Sequence, residues 1–232
     1  MKAGPSLVLS QPSGTVCSLA LKMLRDCHLM GRRSVHSPEE LRQLILDASQ
    51  TIVERNGITG LSAREIARMI GYSPGTLYNI FENLDDVLLT FQVQLMGRTL
   101  EHMKRVPLGP DNDKNIEALA YGYVDFALVN RRMWNLFLAH SLPPGTSVPV
   151  LLHDYTNSLI DIVRGALEPI APNASRESLD VMARALWAGL NGITAIAATE
   201  KGVYLTPSTA QAFAKELTTL FLKGLRSEAA HR

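Results

Sequence analysis

From Ser37 onward apolar residues return every three or four positions, the period of a helix with one buried face, and no segment shows the alternation of a strand. The breaks between helices are marked by caps. Ser37-Pro38-Glu39-Glu40 combines an N-cap serine, proline at the first helical position and a glutamate that closes a capping box. The helix it opens carries Leu41, Leu44, Ile45, Ala48, Ile52 and Val53 and is expected to stop at Asn56-Gly57, with Gly57 in the left-handed conformation that ends a helix. Ser62-Ala63-Arg64-Glu65 is a second capping box; it starts a short helix with Ile66, Ala67 and Ile70 inward and Gly71 at its end. Ser73-Pro74 repeats the cap-plus-proline signal and predicts a third helix through Leu77, Tyr78 and Phe81. Asn83 caps a fourth, with Asp85 and Asp86 at its positive end.

That fourth helix is expected from Leu84 to about Arg105, where Pro107-Leu108-Gly109-Pro110 stops it. Further helices are expected near 112–130, 131–141, 147–170, 175–200 and 207–226, separated by Pro143-Pro144-Gly145, Pro172-Asn173 and Lys201-Gly202. The fold class is therefore all-α, about nine helices, with a small three-helix head over residues 37–83 and a larger helical body over 84–232.

Composition narrows the partners. Charged residues make up 19% of the chain and apolar ones 46%, which excludes wholesale disorder. Lys and Arg exceed Asp and Glu by one, so no global basic field points to nucleic acid. The excess is local. Lys2, Lys22, Arg25, Arg32 and Arg33 face only Asp26 within residues 1–36, a poorly ordered basic arm by its Gly, Pro and Ser content. Two readings stay open for residues 1–29: part of an arm that touches DNA phosphate, or untranslated sequence ahead of a start at Met30. Cys17 and Cys27 have no nearby His pair, so neither a disulfide framework nor a zinc site is suggested, and no cofactor is called for. No apolar run approaches the ~18 residues of a membrane span, so no membrane partner is expected and the chain reads as cytoplasmic.

Ala67 and Gly71, bracketed by Ile66, Ile70, Leu77 and Ile80, put a small residue where two steeply crossing helices meet and a glycine at the turn between them. This is a helix-turn-helix pattern, which spacing alone shares with an ordinary helical hairpin. The wider stretch Ile45 to Leu88, with Ala48, Gly57, Leu61-Ser62, Ile66-Ala67, Gly71, Ser73-Pro74-Gly75-Thr76-Leu77-Tyr78 and Phe81, closely resembles the amino-terminal domain of TetR-family transcriptional regulators. The resemblance implies a dimer that binds operator DNA, most often as a repressor, and releases it when a small molecule enters the body. It implies a recognition helix from Pro74 to Phe81 in the major groove. Ser73, Gly75, Thr76, Tyr78 and Asn79 would then meet DNA there, with Ser62 and Arg64 at the start of the preceding helix near phosphate.

Two positions depart from the family. Ile80 stands where Tyr or His is usual, and Leu84 where Lys is usual, which removes two phosphate contacts. Residues 37–90 carry four arginines against eight carboxylates, a net charge of −4 that is unfavourable for a DNA reader. Arg32 and Arg33 would offset part of that deficit if the arm reaches phosphate or the minor groove.

In the body Met96, Met103, Tyr121, Phe126, Trp134, Phe137 and Trp187 are candidate pocket residues, with His140, His153 and Asn157 as polar handles. Each is also a plausible core residue. The low charge suggests an apolar or weakly polar effector. Leu186, Leu190 and Ile193 on the penultimate helix, and Phe213, Leu217, Leu220 and Phe221 on the last, read as a homodimer interface, with Gly189 and Gly192 permitting close approach. A short recognition helix reads few bases, so two half-sites and hence two copies are expected. There is no Gly-x-Ser-x-Gly elbow, phosphate loop or His-Glu-x-x-His, and Asp111-Asn112-Asp113 lacks the Gly and Glu of a calcium loop, so catalysis is not expected. The different-class alternative is a helical ligand-binding or scaffolding protein that has lost specific DNA binding.

Overall fold

The computed structural model describes residues 36–142, 144–198 and 206–230, and these form helices joined by short turns without a strand among them. The helices are α1 Pro38–Asn56, α2 Ala63–Ile70, α3 Pro74–Leu77, α4 Leu84–Lys104, α5 Asn112–Val129, α6 Arg131–Ala139, α7 Val150–Leu167, α8 Arg176–Ala198 and α9 Pro207–Ala230. Two compact units are distinguished, residues 1–41 and 42–232. The basic arm, with Arg32 and Arg33, lies outside the described residues.

In the first unit the capping box at Ser37 closes in both directions: the Glu40 backbone N–H donates to Ser37 Oγ at 3.2 Å and the Ser37 N–H donates to the Glu40 carboxylate at 2.7 Å. The Ser37 backbone N–H, and to a lesser degree the Ser37 hydroxyl, hold the Glu40 carboxyl below the usual carboxylate range.

The second unit holds the head's helix-turn-helix and the body. α1 stops at Asn56 as the pattern requires, and Gly57 has positive φ, 69°, but ψ of −177°. It therefore occupies extended space open to glycine alone rather than the left-handed helical region, and a short 3₁₀ turn follows. At Ser62 the cap forms in one direction only. Ser62 Oγ accepts from the Glu65 N–H at 3.2 Å, while the Glu65 carboxylate turns to Arg68 instead of back to Ser62. Gly71 is left-handed, φ 75° and ψ 27°, and lets the Tyr72 N–H reach the Ala67 carbonyl, which ends α2.

α3 is shorter than the sequence predicts. Regular helix covers Pro74–Leu77, and the chain reaches Phe81 through single turns in which the N–H groups of Asn79 and Ile80 reach three residues back. Ser-Pro fixes where a helix begins; its end here follows the burial of Leu77 and Phe81, both about 1% exposed. Ser73 does not cap the helix with its side chain, because its hydroxyl is shared with that of Thr76 at 3.0 Å.

In the body α4 packs on α5, α6 and α7; α8 on α5, α6, α7 and α9; and α9 on α5. The core runs through Leu95, Met96, Ile116, Val124, Trp134, Ile160 and Leu167. Gly189 is the close contact of α8 and α9: a Cβ there would sit 2.7 Å from Leu217 of the same chain. α8 also revises the expectation on apolar runs. It contains an 18-residue window of mean hydropathy 1.3, long and apolar enough to cross a membrane by composition alone. Leu179, Ala183, Leu186 and Leu190 along it are buried in the bundle, and Val181, Ala185, Ala188 and Ile196 on its other face raise the hydropathy.

Candidate nucleic-acid interface and ligand cleft

The turn and α3 present one polar surface. Ser73, Gly75, Tyr78 and Asn79 are exposed, Tyr78 by 53%, and Thr76 is half-buried against Ser73. Leu77, between them in sequence, is turned fully inward and anchors α3 on α2. Arg64 is exposed on the first turn of α2, and Ser62, half-buried, is occupied as its cap. These residues lie on contiguous elements, as their sequence positions require. The order α2, left-handed turn, α3 gives a polar row on rigid support, the form that enters a DNA groove.

Behind the row, the head is tied to the body by side chains. The Arg42 guanidinium stacks on the Phe81 ring at 4.4 Å and donates to Thr90 of α4 at 3.3 Å, and Arg132 of α6 donates to the Glu54 carbonyl near the end of α1. The Asp86 backbone N–H donates to Asn83 Oδ1 and the Asp86 carboxylate accepts from the Glu82 N–H, whereas Asp85 turns inward to His140. His140 is 5% exposed. Its Nε2 lies 2.9 Å from Asp85 Oδ1 and its Nδ1 3.0 Å from Gln92 Nε2, so the consistent tautomer donates to the carboxylate and accepts from the amide. A single ring at the end of α6 thus fixes two points on α4.

The sequence-selected aromatic and polar residues of the body separate into different places. Met96, Met103 and Trp134 are core. Trp134 donates from Nε1 to Thr194 Oγ1 at 3.0 Å, meets Tyr123 edge-on at 5.4 Å between ring centres, and lies 6.1 Å from Phe137. Tyr123 donates to Asn191 at 2.8 Å, and its burial pushes the phenol pKa well above the ordinary value, so it stays a neutral donor. Trp187 is half-buried, with its indole Nε1 out of water. His153 is exposed, and Asn157 accepts from Arg184.

Phe126 alone of that set lines a cleft of about 860 Å³ between α4, α5 and α7. The others around it, including Phe91, Gly97, Arg98, His102, Arg105, Leu151 and Tyr155, were not singled out by sequence reasoning. The available signal was spacing: Gln94, Arg98, His102 and Arg105 recur at helical intervals along one face of α4. Tyr121 lines a smaller groove of about 440 Å³ between α5 and α9 with Gln211 and Lys215. Among the described residues no group of three His, Cys, Asp or Glu is placed to hold a metal.

The proposed interface residues also separate. Leu186 and Leu190 point into the protomer's own core, and Ile193, Leu217 and Phe221 are half-buried. Phe213 and Leu220 are exposed by 50% and 57%. On α8 the outward row is Val181, Ala185, Ala188, Gly192 and Ile196, and among the described residues nothing outside the local helix lies within 4 Å of a Cβ placed on Gly192.

The architecture is a helix-turn-helix head followed by a larger all-helical bundle. Residues 116–220 match the family described as tetracyclin repressor-like, C-terminal domain. The chain is 25% identical over 166 residues to the HTH-type transcriptional regulator Rv0681 of Mycobacterium tuberculosis, covering 69% of this chain and 72% of that one. It is 26% identical over 89 residues to the HTH-type regulator YobS of Bacillus subtilis, covering 38% of this chain and 47%, about half, of that protein's length. Its fold is similar to that of Thermus thermophilus FadR, a TetR-family repressor solved with lauroyl-CoA, with a TM-score of 0.58, 20% identity, and 79% and 94% of the two chains covered. The body thus matches a TetR-family model and the fold is similar to that of a solved TetR-family repressor, beside the resemblance carried by the residues of the head.

Proposed function

We propose that this chain is a ligand-responsive, sequence-specific transcriptional repressor that binds operator DNA as a homodimer in the cytoplasm and is released by a small molecule with an apolar body. The observation that carries the reading is the exposed row Ser73, Gly75, Tyr78 and Asn79 on a turn and helix whose inner face is fully buried. Its alternation of a buried apolar anchor, Leu77, with exposed positions suits base and phosphate contact. The regulator names of the relatives support it, and the cleft beside α4 offers the effector a place. Dimerisation is supported by the outward rows of α8 and α9, whose small residues permit backbones to approach closely. In this reading the α4 cleft and the head communicate through α4 itself, which begins at the end of the helix-turn-helix.

Footprinting of DNA flanking the gene tests this. The expected result is a protected inverted repeat with half-sites about one helical turn, ~34 Å, apart, cleared when effector is added. Protection of no fragment above nonspecific background would contradict it and favour a helical ligand-binding protein without a reader role.

A further inference from the structure

The α4–α5–α7 cleft is more polar at one edge than the low charge of the chain suggests. Arg98 lies on α4 and Arg105 caps its end on the same side, seven residues and about 10.5 Å apart along the axis, with His102 between them. Neither arginine has an ion-pair partner among the described residues. The one carboxylate of the lining, Glu101, is held by Lys104 at 2.9 Å; that hydrogen bond, and to a smaller degree the charge of Arg105, keeps its carboxyl below the ordinary range. The edge therefore keeps an excess of positive charge. Much of the rest of the lining is apolar: Phe126, tilted against His102 at 5.2 Å between ring centres, with Phe91, Val93, Leu151 and the ring of Tyr155. Gly97 sits under Tyr155, where a Cβ would come within 3.1 Å of the ring, so the floor between the arginines and the aromatic wall is closed by α7.

We propose that this cleft takes an amphipathic anion, its carboxylate or phosphate held by Arg98 and Arg105 and its apolar body laid against Phe91, Phe126, Leu151 and Tyr155. Guanidinium groups suit both headgroups because each oxygen pair accepts a two-pronged hydrogen bond, and the largely apolar remainder of the lining suits a hydrocarbon body. This inference rests on the reading of the chain as a ligand-responsive regulator and names the chemistry of its effector.

The test is calorimetric titration of the full chain with decanoate, decyl phosphate and decanol, on wild type and on Arg98→Gln/Arg105→Gln. Both anions are expected to bind wild type, and the double substitution to weaken at least one of them about tenfold or more while the alcohol changes little. The anion that loses more identifies the headgroup. Equal affinity of wild type and variant for both anions, or no binding of either anion, would overturn the proposal, as would decanol binding as tightly as the anions. A helical circular dichroism spectrum and an unfolding midpoint equal to wild type confirm that the variant is folded. DNA binding measured on the same samples separates the two claims: operator binding without anion binding overturns the anchor alone, and anion binding without operator binding overturns the regulator alone.

Discussion

Replacement of Trp134 by alanine is expected to lower the stability of the body by about 3–5 kcal/mol, the range for deleting a fully buried large aromatic side chain. Trp134 has no exposed surface, and it joins three helices: it sits on α6, its ring meets Tyr123 and Phe126 of α5, and its indole N–H donates to Thr194 of α8. The cavity would open where α6 leans on α8, and the lost hydrogen bond would leave the Thr194 hydroxyl, itself fully buried, donating to the Asn191 carbonyl but accepting from nothing. Trp134→Phe keeps most of the packing and should cost markedly less. Urea unfolding of the two variants measures the difference; an alanine variant within about 1 kcal/mol of wild type would show that the indole is not the centre of the body's packing.

The second large effect is expected at His140. His140→Ala removes both bonds of the imidazole, strands the Gln92 amide in a site 6% exposed, and should cost about 1–3 kcal/mol, the penalty of a buried polar group left without its partner. The same change frees Asp85, at the start of α4 just after the helix-turn-helix, from the end of α6. DNA affinity should therefore fall with stability. Leu138→Ala on the same helix, where the side chain is 37% exposed, should leave both nearly unchanged. A His140→Ala protein with normal operator affinity and a normal unfolding midpoint would remove the bridge from the account.

The beginnings of helices are what the chain makes legible. Ser37, Ser62 and Asn83 announce their helices because a cap is local: one side-chain oxygen and one backbone N–H three residues on are enough. Ends are less so. The stop of α3 at Leu77 instead of Phe81 depends on which residues the rest of the head buries, and no cap residue marks it. α8 shows a different limit. Two apolar rows run along it, Leu179-Ala183-Leu186-Leu190 and Val181-Ala185-Ala188-Gly192-Ile196, and periodicity cannot say which faces the core; only the packing of α5, α6 and α7 on the first row decides.

The row on the turn and α3 was readable because it is contiguous and the motif is specific. The cleft was hidden for the opposite reason. A search for aromatic and methionine residues selects the core, where Met96, Met103 and Trp134 lie, whereas the cleft wall mixes Arg98, His102, Arg105 and Gly97 from α4 with Leu151 and Tyr155 of α7, which no local pattern joins.

The central claim, that the exposed row reads DNA, is tested most directly by fluorescence anisotropy of a labelled upstream fragment at two salt concentrations, with wild type and with Thr76→Ala/Tyr78→Phe. The account predicts specific binding that weakens as salt rises, because phosphate contacts release counterions, and that weakens about tenfold or more in the double variant, because two hydrogen-bonding hydroxyls are lost. Binding of every fragment with the same low affinity, unchanged by the two substitutions, would contradict it.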